Sequence, residues 1–157
     1  MGMIGERILR TEDPDLVTGR GTFIDNLSLP DAGHVVYVRS SVAHARIINI
    51  DTSTAAQLPG VLGIFTSSDL KADGLNFVPI DMPLLPAGIR RPALADSTVR
   101  FVGELIAAVV AESRAQAVDA AEQVFVDYDA LHAVVDPEEA LADETLLFPD
   151  FGTTTIV

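Results

Sequence analysis

No cysteine occurs anywhere in this chain. That excludes disulfides, thiolate nucleophiles, cysteine-bound zinc and protein-ligated iron–sulfur clusters from these residues. Basic residues are scarce as well: 10 Lys and Arg stand against 23 Asp and Glu, for a formal net charge of −13. Nucleic acid is a poor partner for such a chain, because phosphate contacts need clustered Lys and Arg. No stretch approaches the ~18 consecutive apolar residues of a membrane span. The start, Met1-Gly2-Met3-Ile4-Gly5-Glu6-Arg7, has no basic segment leading into an apolar core, so no secretory signal is expected. Phosphate-loop glycines followed by Lys-Ser or Lys-Thr, a G-x-G-x-x-G turn and a G-x-S-x-G elbow are all missing. A soluble, cytoplasmic chain without a nucleotide or serine-hydrolase site is the expectation.

What is present is a globular balance, 48% hydrophobic and 21% charged over 157 residues. A chain of that length makes one domain that buries roughly two-thirds of its unfolded surface. The acid is unevenly spread. From Glu112 to Asp150 eleven carboxylates face one base, Arg114, while most Arg residues lie at or before Arg100. A solvated acidic face is the simpler reading, and a docking surface for a basic partner is the alternative.

Strand-like runs are expected at His34–Arg39, Arg46–Asp51, Val61–Phe65, Val99–Val102, Leu105–Ala111 and Val124–Asp129, each rich in β-branched residues. Between them, Asp51 or Thr52 opens a short helix closed by Pro59-Gly60, and Ser67 or Ser68 opens another at Asp69-Leu70. Ser113-x-x-Gln116 has capping-box spacing, and Ala117, Val118, Ala121, Val124 and Phe125 form an apolar stripe opposite Asp119 and Glu122. Asp136-Pro137-Glu138-Glu139 is a helix start, with a capping Asp and Pro at the first position. Lys71–Pro92, holding four prolines and two glycines, reads as a long ordered loop. Thr153–Val157 looks like the start of a further strand, which suggests a piece of something longer. The class is α+β, with a mixed β-sheet and about two to four short helices.

Candidate chemical residues are few. His34, His44 and His132 lack partners at metal-ligand spacing, so no metal site is expected. His44, near Ser40, Ser41 and Arg46, is read as fixing a turn through backbone carbonyls. Glu104, set between two apolar runs, is either an acid–base group or the partner of Arg39, Arg46 or Arg100, and pairing is the preferred reading.

Several segments, in order, resemble the N-terminal α/β-hammerhead domain of the molybdenum hydroxylase large subunit, the group of xanthine dehydrogenase, aldehyde oxidase, aerobic carbon monoxide dehydrogenase and the N-heteroaromatic oxidoreductases. They are Gly19-Arg20-Gly21-Thr22-Phe23-Ile24-Asp25, Val38-Arg39-Ser40 through His44-Ala45-Arg46-Ile47, Leu58-Pro59-Gly60-Val61 and Val99-Arg100-Phe101-Val102-Gly103-Glu104. Ala107–Glu112 and Val126-Asp127-Tyr128 through Asp136-Pro137 continue the likeness. Ser41, Leu105 and His132 stand where that family often has Pro, which frees backbone without threatening a fold.

The resemblance implies a scaffold domain of an oxidoreductase that hydroxylates an aldehyde, N-heterocycle or related carbon centre, or oxidises carbon monoxide, with water as oxygen source. It implies a molybdopterin cofactor, 2Fe-2S clusters and FAD, none held by this chain itself, and the essential glutamate lies in domains that follow. Implied partners are the cofactor-binding domains of the large subunit and the iron–sulfur and FAD subunits. Arg39, His44, Arg46 and Glu104 are then structural motif residues, with no catalytic, cofactor or metal residue carried over. Met82, Leu84 and Leu85 become candidates for the wall of a substrate funnel, although simple packing against the other domains is the preferred reading. Residues 1–20 read as an extension, 21–150 as the hammerhead and 151–157 as a further strand or link. Strands that meet other domains would leave apolar surface on the isolated piece. The rival is a free-standing binding or subunit-assembly module of the same fold without molybdenum.

Overall fold

The computed structural model describes residues 5, 10–27, 29–78, 91–149 and 152, which fall into two units, Met1–Ala32 and Gly33–Val157. In the first unit, helix α1 (Asp13–Val17) starts with Pro14 in its first turn, where a missing N–H costs nothing. Gly19 then turns the chain at φ +70°, and the Arg20 N–H closes on the Asp15 carbonyl at 2.7 Å. A 3-10 turn follows at Ile24–Asn26, and no residue of α1 is buried.

The second unit runs through β1 (His34–Arg39), β2 (Ala45–Asp51), a 3-10 turn (Ala55–Gln57), β3 (Val61–Thr66) and α2 (Ser67–Ala72). It continues with β4 (Phe77–Val78), β5 (Arg91–Pro92), β6 (Thr98–Val99), β7 (Leu105–Ala111), α3 (Arg114–Glu122), β8 (Phe125–Ala130) and α4 (Pro137–Leu141). The strands form three small sheets, ordered β1-β7-β3, β6-β2-β8 and β4-β5. Where the sequence suggests one mixed sheet, every strand pair among the described residues is antiparallel. The α+β class and the short helices are as expected.

Strand β7 organises the unit because its small and β-branched residues can be buried on both faces. Ile106, fully buried, joins Ala45, Ala95 and Val99, with Val42, Ile47, Ile50, Val126 and Tyr128 packed around them. Ala107, Val109 and Ala111 point the other way and are equally buried. Across the β1-β7-β3 sheet lies α3, which buries only Ala117 and Ala120. Two alanines let the helix approach the sheet closely, and a larger side chain at either would overpack it. Ser113 caps α3 as expected: its Oγ accepts the Gln116 N–H at 3.3 Å and donates to Gln116 Oε1 at 2.7 Å. The turn before β3 needs glycine, because Gly60 sits at φ +79° and an added Cβ would come 2.2 Å from Gln116 Nε2.

Four expectations need correction. Val118 and Phe125 are exposed, and Phe125 lies in β8; the helix is shorter than the stripe requires, and Ala120, unnamed in that stripe, takes the buried place beside Ala117. Val99–Val102 is not a strand beyond Val99, because Gly103 at φ +90° and the Glu104 carboxylate turn the backbone away. Lys71 and Ala72 belong to α2, and the ends of the expected loop pair as β4 and β5. Finally, α2 is capped one residue earlier than expected, at Thr66, whose N–H (2.7 Å) and hydroxyl (2.8 Å) both donate to Asp69 Oδ2.

The backbone bond from Thr66, then the hydroxyl bond, lowers the Asp69 pKa below the ordinary carboxylate value. The folded pKa is depressed, so this cap stabilises above the unfolded pKa and is lost as pH falls through the folded one. Amide exchange in α2 is therefore expected to quicken below about pH 4. Asp69→Asn should abolish that acid-specific step, and an unchanged step in the variant would refute the assignment.

Candidate functional site

The motif residues gather at the end of β1 and beside β2. Where β1 ends, the Ser40 N–H donates to the Glu104 carbonyl and the Gly103 N–H to the Ser40 carbonyl, both at 2.8 Å. This reciprocal pair clamps the 100–104 turn to β1. Arg39 Nη1 adds a bond to the Gly103 carbonyl at 3.0 Å. Within the turn, buried Glu104 places Oε2 2.5 Å from the Arg100 N–H. The expected pairing of Glu104 with an arginine side chain is thus corrected: the carboxylate takes a backbone donor that the turn would otherwise orphan.

Arg100 spends its guanidinium elsewhere. Its Nε donates to the Leu147 carbonyl at 2.8 Å, its Nη1 to the Thr98 carbonyl at 3.3 Å, and its plane sits 4.7 Å from the Phe148 ring centroid. Planar stacking plus forked donation is the use to which Arg, and not Lys, is suited. The chain after α4 is thereby tied to the β6–β7 turn.

At the start of β2, His44 is buried and its Nδ1 donates to the His132 carbonyl at 2.7 Å, while the Leu131 N–H returns to the His44 carbonyl at 2.9 Å. The carbonyl can only accept, so Nδ1 carries the proton. The bond reaches across the fold and ties the segment after β8 to the start of β2. The ring of His132 pairs with Glu139 at the start of α4. Arg46 pairs with Asp129 across β2 and β8 at 3.0 Å. Both side chains are exposed, so this bridge contributes little.

Met82, Leu84 and Leu85 lie outside the described residues. The root of their segment is described. Phe77 pairs with Pro92 and Val78 with Arg91. Buried Asn76 accepts the Leu94 N–H on Oδ1 at 3.3 Å, and its carbonyl accepts the Ala93 N–H at 3.2 Å. Asp96 then binds Lys71 at 2.5 Å and Ser67 Oγ at 3.2 Å, tying α2 to the same root. Sequence reasoning assigned no role to Ser40, Asn76 or Asp96. Ser40 alone carried a signal, as the third residue of the Val38-Arg39-Ser40 run.

The polar side chains brought together at these strand ends are engaged within the domain. Ser40 Oγ is spent on Val42 (2.7 Å to its carbonyl), Ser67 on Asp96, and His44 and Glu104 on backbone. Among the described residues no group of three or more His, Cys, Asp or Glu converges. Nor is any described helix long and apolar enough to cross a membrane. The acidic stretch lies largely in solvent, with Glu112, Asp119, Glu122, Asp127, Asp136 and Glu138 all exposed.

Comparison with known proteins agrees with this architecture. The family described as aldehyde oxidase and xanthine dehydrogenase, a/b hammerhead domain, matches residues 18–132. The carbon monoxide dehydrogenase large chain of Afipia carboxidovorans is 44% identical over 138 residues, 88% of this chain and 16% of that protein. The nicotine 6-hydroxylase large subunit of Paenarthrobacter nicotinovorans is 39% identical over 142 residues, 88% of this chain and 17% of that protein. A solved Cu,Mo-CO dehydrogenase in its carbon monoxide reduced state superposes with a TM-score of 0.81 at 41% identity, over 94% of this chain and 18% of that one. The chain spans less than a fifth of the length of these relatives. With a family match over most of its length and a shared fold, the chain belongs to the aldehyde oxidase and xanthine dehydrogenase family of molybdenum hydroxylases, as an α/β-hammerhead domain.

Proposed function

We propose that this domain is a scaffold of a molybdopterin-dependent oxidoreductase and that catalysis, cofactor binding and electron transfer belong to residues outside it. One observation carries the reading: the buried polar side chains of the motif, Ser40, His44 and Glu104, are engaged by the domain's own backbone. Such groups hold strand ends and turns together, and Arg39 adds a bond to the Gly103 carbonyl from the surface. The substrate is an aldehyde, an N-heterocycle or related carbon centre, or carbon monoxide, and the oxygen comes from water. Molybdopterin, 2Fe-2S clusters and FAD supply the redox chemistry from partner domains and subunits. A cytoplasmic setting, an extension over 1–20, a hammerhead over 21–150 and a link over 151–157 belong to the same proposal. So does a place for Met82, Leu84 and Leu85 on the wall of a substrate funnel, supported by the tightly bonded root of their segment.

The test compares the 157-residue chain with the full large chain assembled with its iron–sulfur and FAD partners. The assembly is expected to carry molybdopterin and reduce an artificial electron acceptor, and the short chain to do neither. Turnover by the short chain would overturn the scaffold reading. In the same assay Leu84→Ala in the assembly is expected to raise KM up to roughly tenfold with kcat held, the scale of a lost apolar contact. An unchanged KM would remove the funnel role while leaving the scaffold.

A further inference from the structure

Residues 131–149 run on from β8 without burying a side chain: each is half-buried or exposed, α4 included. Two sets of bonds fix the ends of this stretch. At the near end the Leu131 N–H donates to the His44 carbonyl and His44 Nδ1 to the His132 carbonyl. At the far end Arg100 donates from Nε to the Leu147 carbonyl and lies over the Phe148 ring. Between them α4 is braced from within the stretch. Asp136 Oδ1 accepts the Glu138 and Glu139 N–H groups, the Ala140 N–H donates to the Asp136 carbonyl at 3.0 Å, and the Glu139 carboxylate pairs with the His132 ring.

The two anchors differ in kind. His44 is buried and adjoins Ala45, a member of the core cluster, so the near end is fixed to the sheets. The far anchor, Arg100, is only half-buried. Its Nη1 already holds the Thr98 carbonyl at 3.3 Å, which aims the fork and its flat face at residues 147 and 148. A segment without buried residues opens at a small part of the free energy that unfolds the whole domain.

We propose that residues 131–148 form a strap that lifts as one piece while the sheets stay paired, hinged beside His44 and latched by the forked, stacked guanidinium of Arg100. A lysine would bring the charge but neither the fork nor the flat face. The use of the device rests on the scaffold reading above, in which the polypeptide continues past the strap toward the cofactor-binding domains. Release of the latch lets the outgoing chain pivot without opening either core of the hammerhead.

The test is amide hydrogen exchange on the full-length large chain in its assembled enzyme, read by mass spectrometry in urea concentrations below the unfolding transition. Corrected for intrinsic rates, the α4 amides are expected to exchange at least about a hundredfold faster than those of β7. Their rates should barely change with urea, while those of β7 climb steeply. Arg100→Ala should speed the α4 amides about tenfold or more, the scale of one lost hydrogen bond to a charged group. Arg100→Lys should come close to the same effect. A urea slope shared by α4 and β7 would mean that the strap opens only with the whole domain. Rates in α4 untouched by Arg100→Ala, or fully restored by Arg100→Lys, would remove the latch, and any of these results overturns the proposal. Turnover by the 157-residue chain alone would end the scaffold reading without touching the exchange pattern, and failure of the strap appears only in that pattern.

Discussion

Ile106→Ala is expected to destabilise the domain by about 3–4 kcal/mol, the middle of the range for truncating a fully buried aliphatic side chain. Ile106 is the one β7 residue that enters the cluster of Ala45, Ala95 and Val99. The other three positions are two alanines and a valine, so neighbours have few atoms with which to fill the space left behind. Backbone held by strand pairing cannot move in to compensate. The cost is lost transfer energy plus an unrelaxed cavity. Against a total stability of about 5–15 kcal/mol, it is a large fraction. Ile48→Ala is the matched control. Ile48 lies at the irregularity between Ile47 and Asn49 in β2 and is largely exposed, so its loss should stay within about 0.5 kcal/mol. Urea unfolding midpoints decide the matter. Equal shifts for the two variants would show that Ile106 does not organise the core.

The second large effect is expected at Glu104. Glu104→Ala removes the acceptor of the Arg100 N–H and leaves that donor part-buried, at a cost of about 2–3 kcal/mol for a hydrogen bond to a charged group. Glu104→Gln keeps a carbonyl oxygen there and should lose roughly half as much. The partner is the backbone of residue 100 and not its guanidinium. The Glu104→Ala cost should therefore persist almost unchanged in an Arg100→Ala background, within the ~0.5 kcal/mol expected of independent sites. A cost that vanished in that background would mean that Glu104 acts through a salt bridge with Arg100, as the sequence suggests.

These two residues also show how far the sequence could be read. The runs around Ile106 and Ile47 were legible as strands because β-branched residues cluster there, and Asp136-Pro137 marked a helix start that the structure bears out, with Asp136 Oδ1 accepting the Glu138 N–H at 2.7 Å. The family could be named because its motif residues hold turns, and turns constrain residue type tightly. Pairing was harder. A charged residue near three arginines invites an ion pair, and nothing in the one-dimensional pattern reveals that a tight turn will present a backbone N–H first. The α3 stripe misled for a related reason. Hydrophobicity ranks Val118 and Phe125 above Ala120, but close approach of a helix to a sheet selects for small size. Asn76 and Asp96 gave no signal, since their roles depend on residues brought together only by the fold.

The order of strands in space has a consequence for how the chain is made. Every partner of β1 and β3 in the central sheet is β7, and β2 pairs with β6 and β8. His34 meets Ala111, and Asp51 meets Phe125. As the polypeptide leaves the ribosome, β1, β2 and β3 emerge first and find nothing to pair with. Long-range closure of this kind is slow and leaves apolar strands unprotected meanwhile. Emergence of Leu105–Ala111 is the committing event, because one strand then supplies partners to two others and a wall to both cores. The acidic residues that follow it, from Glu112 onward, arrive while β2 still lacks β8, and the charge they bring keeps nascent copies apart.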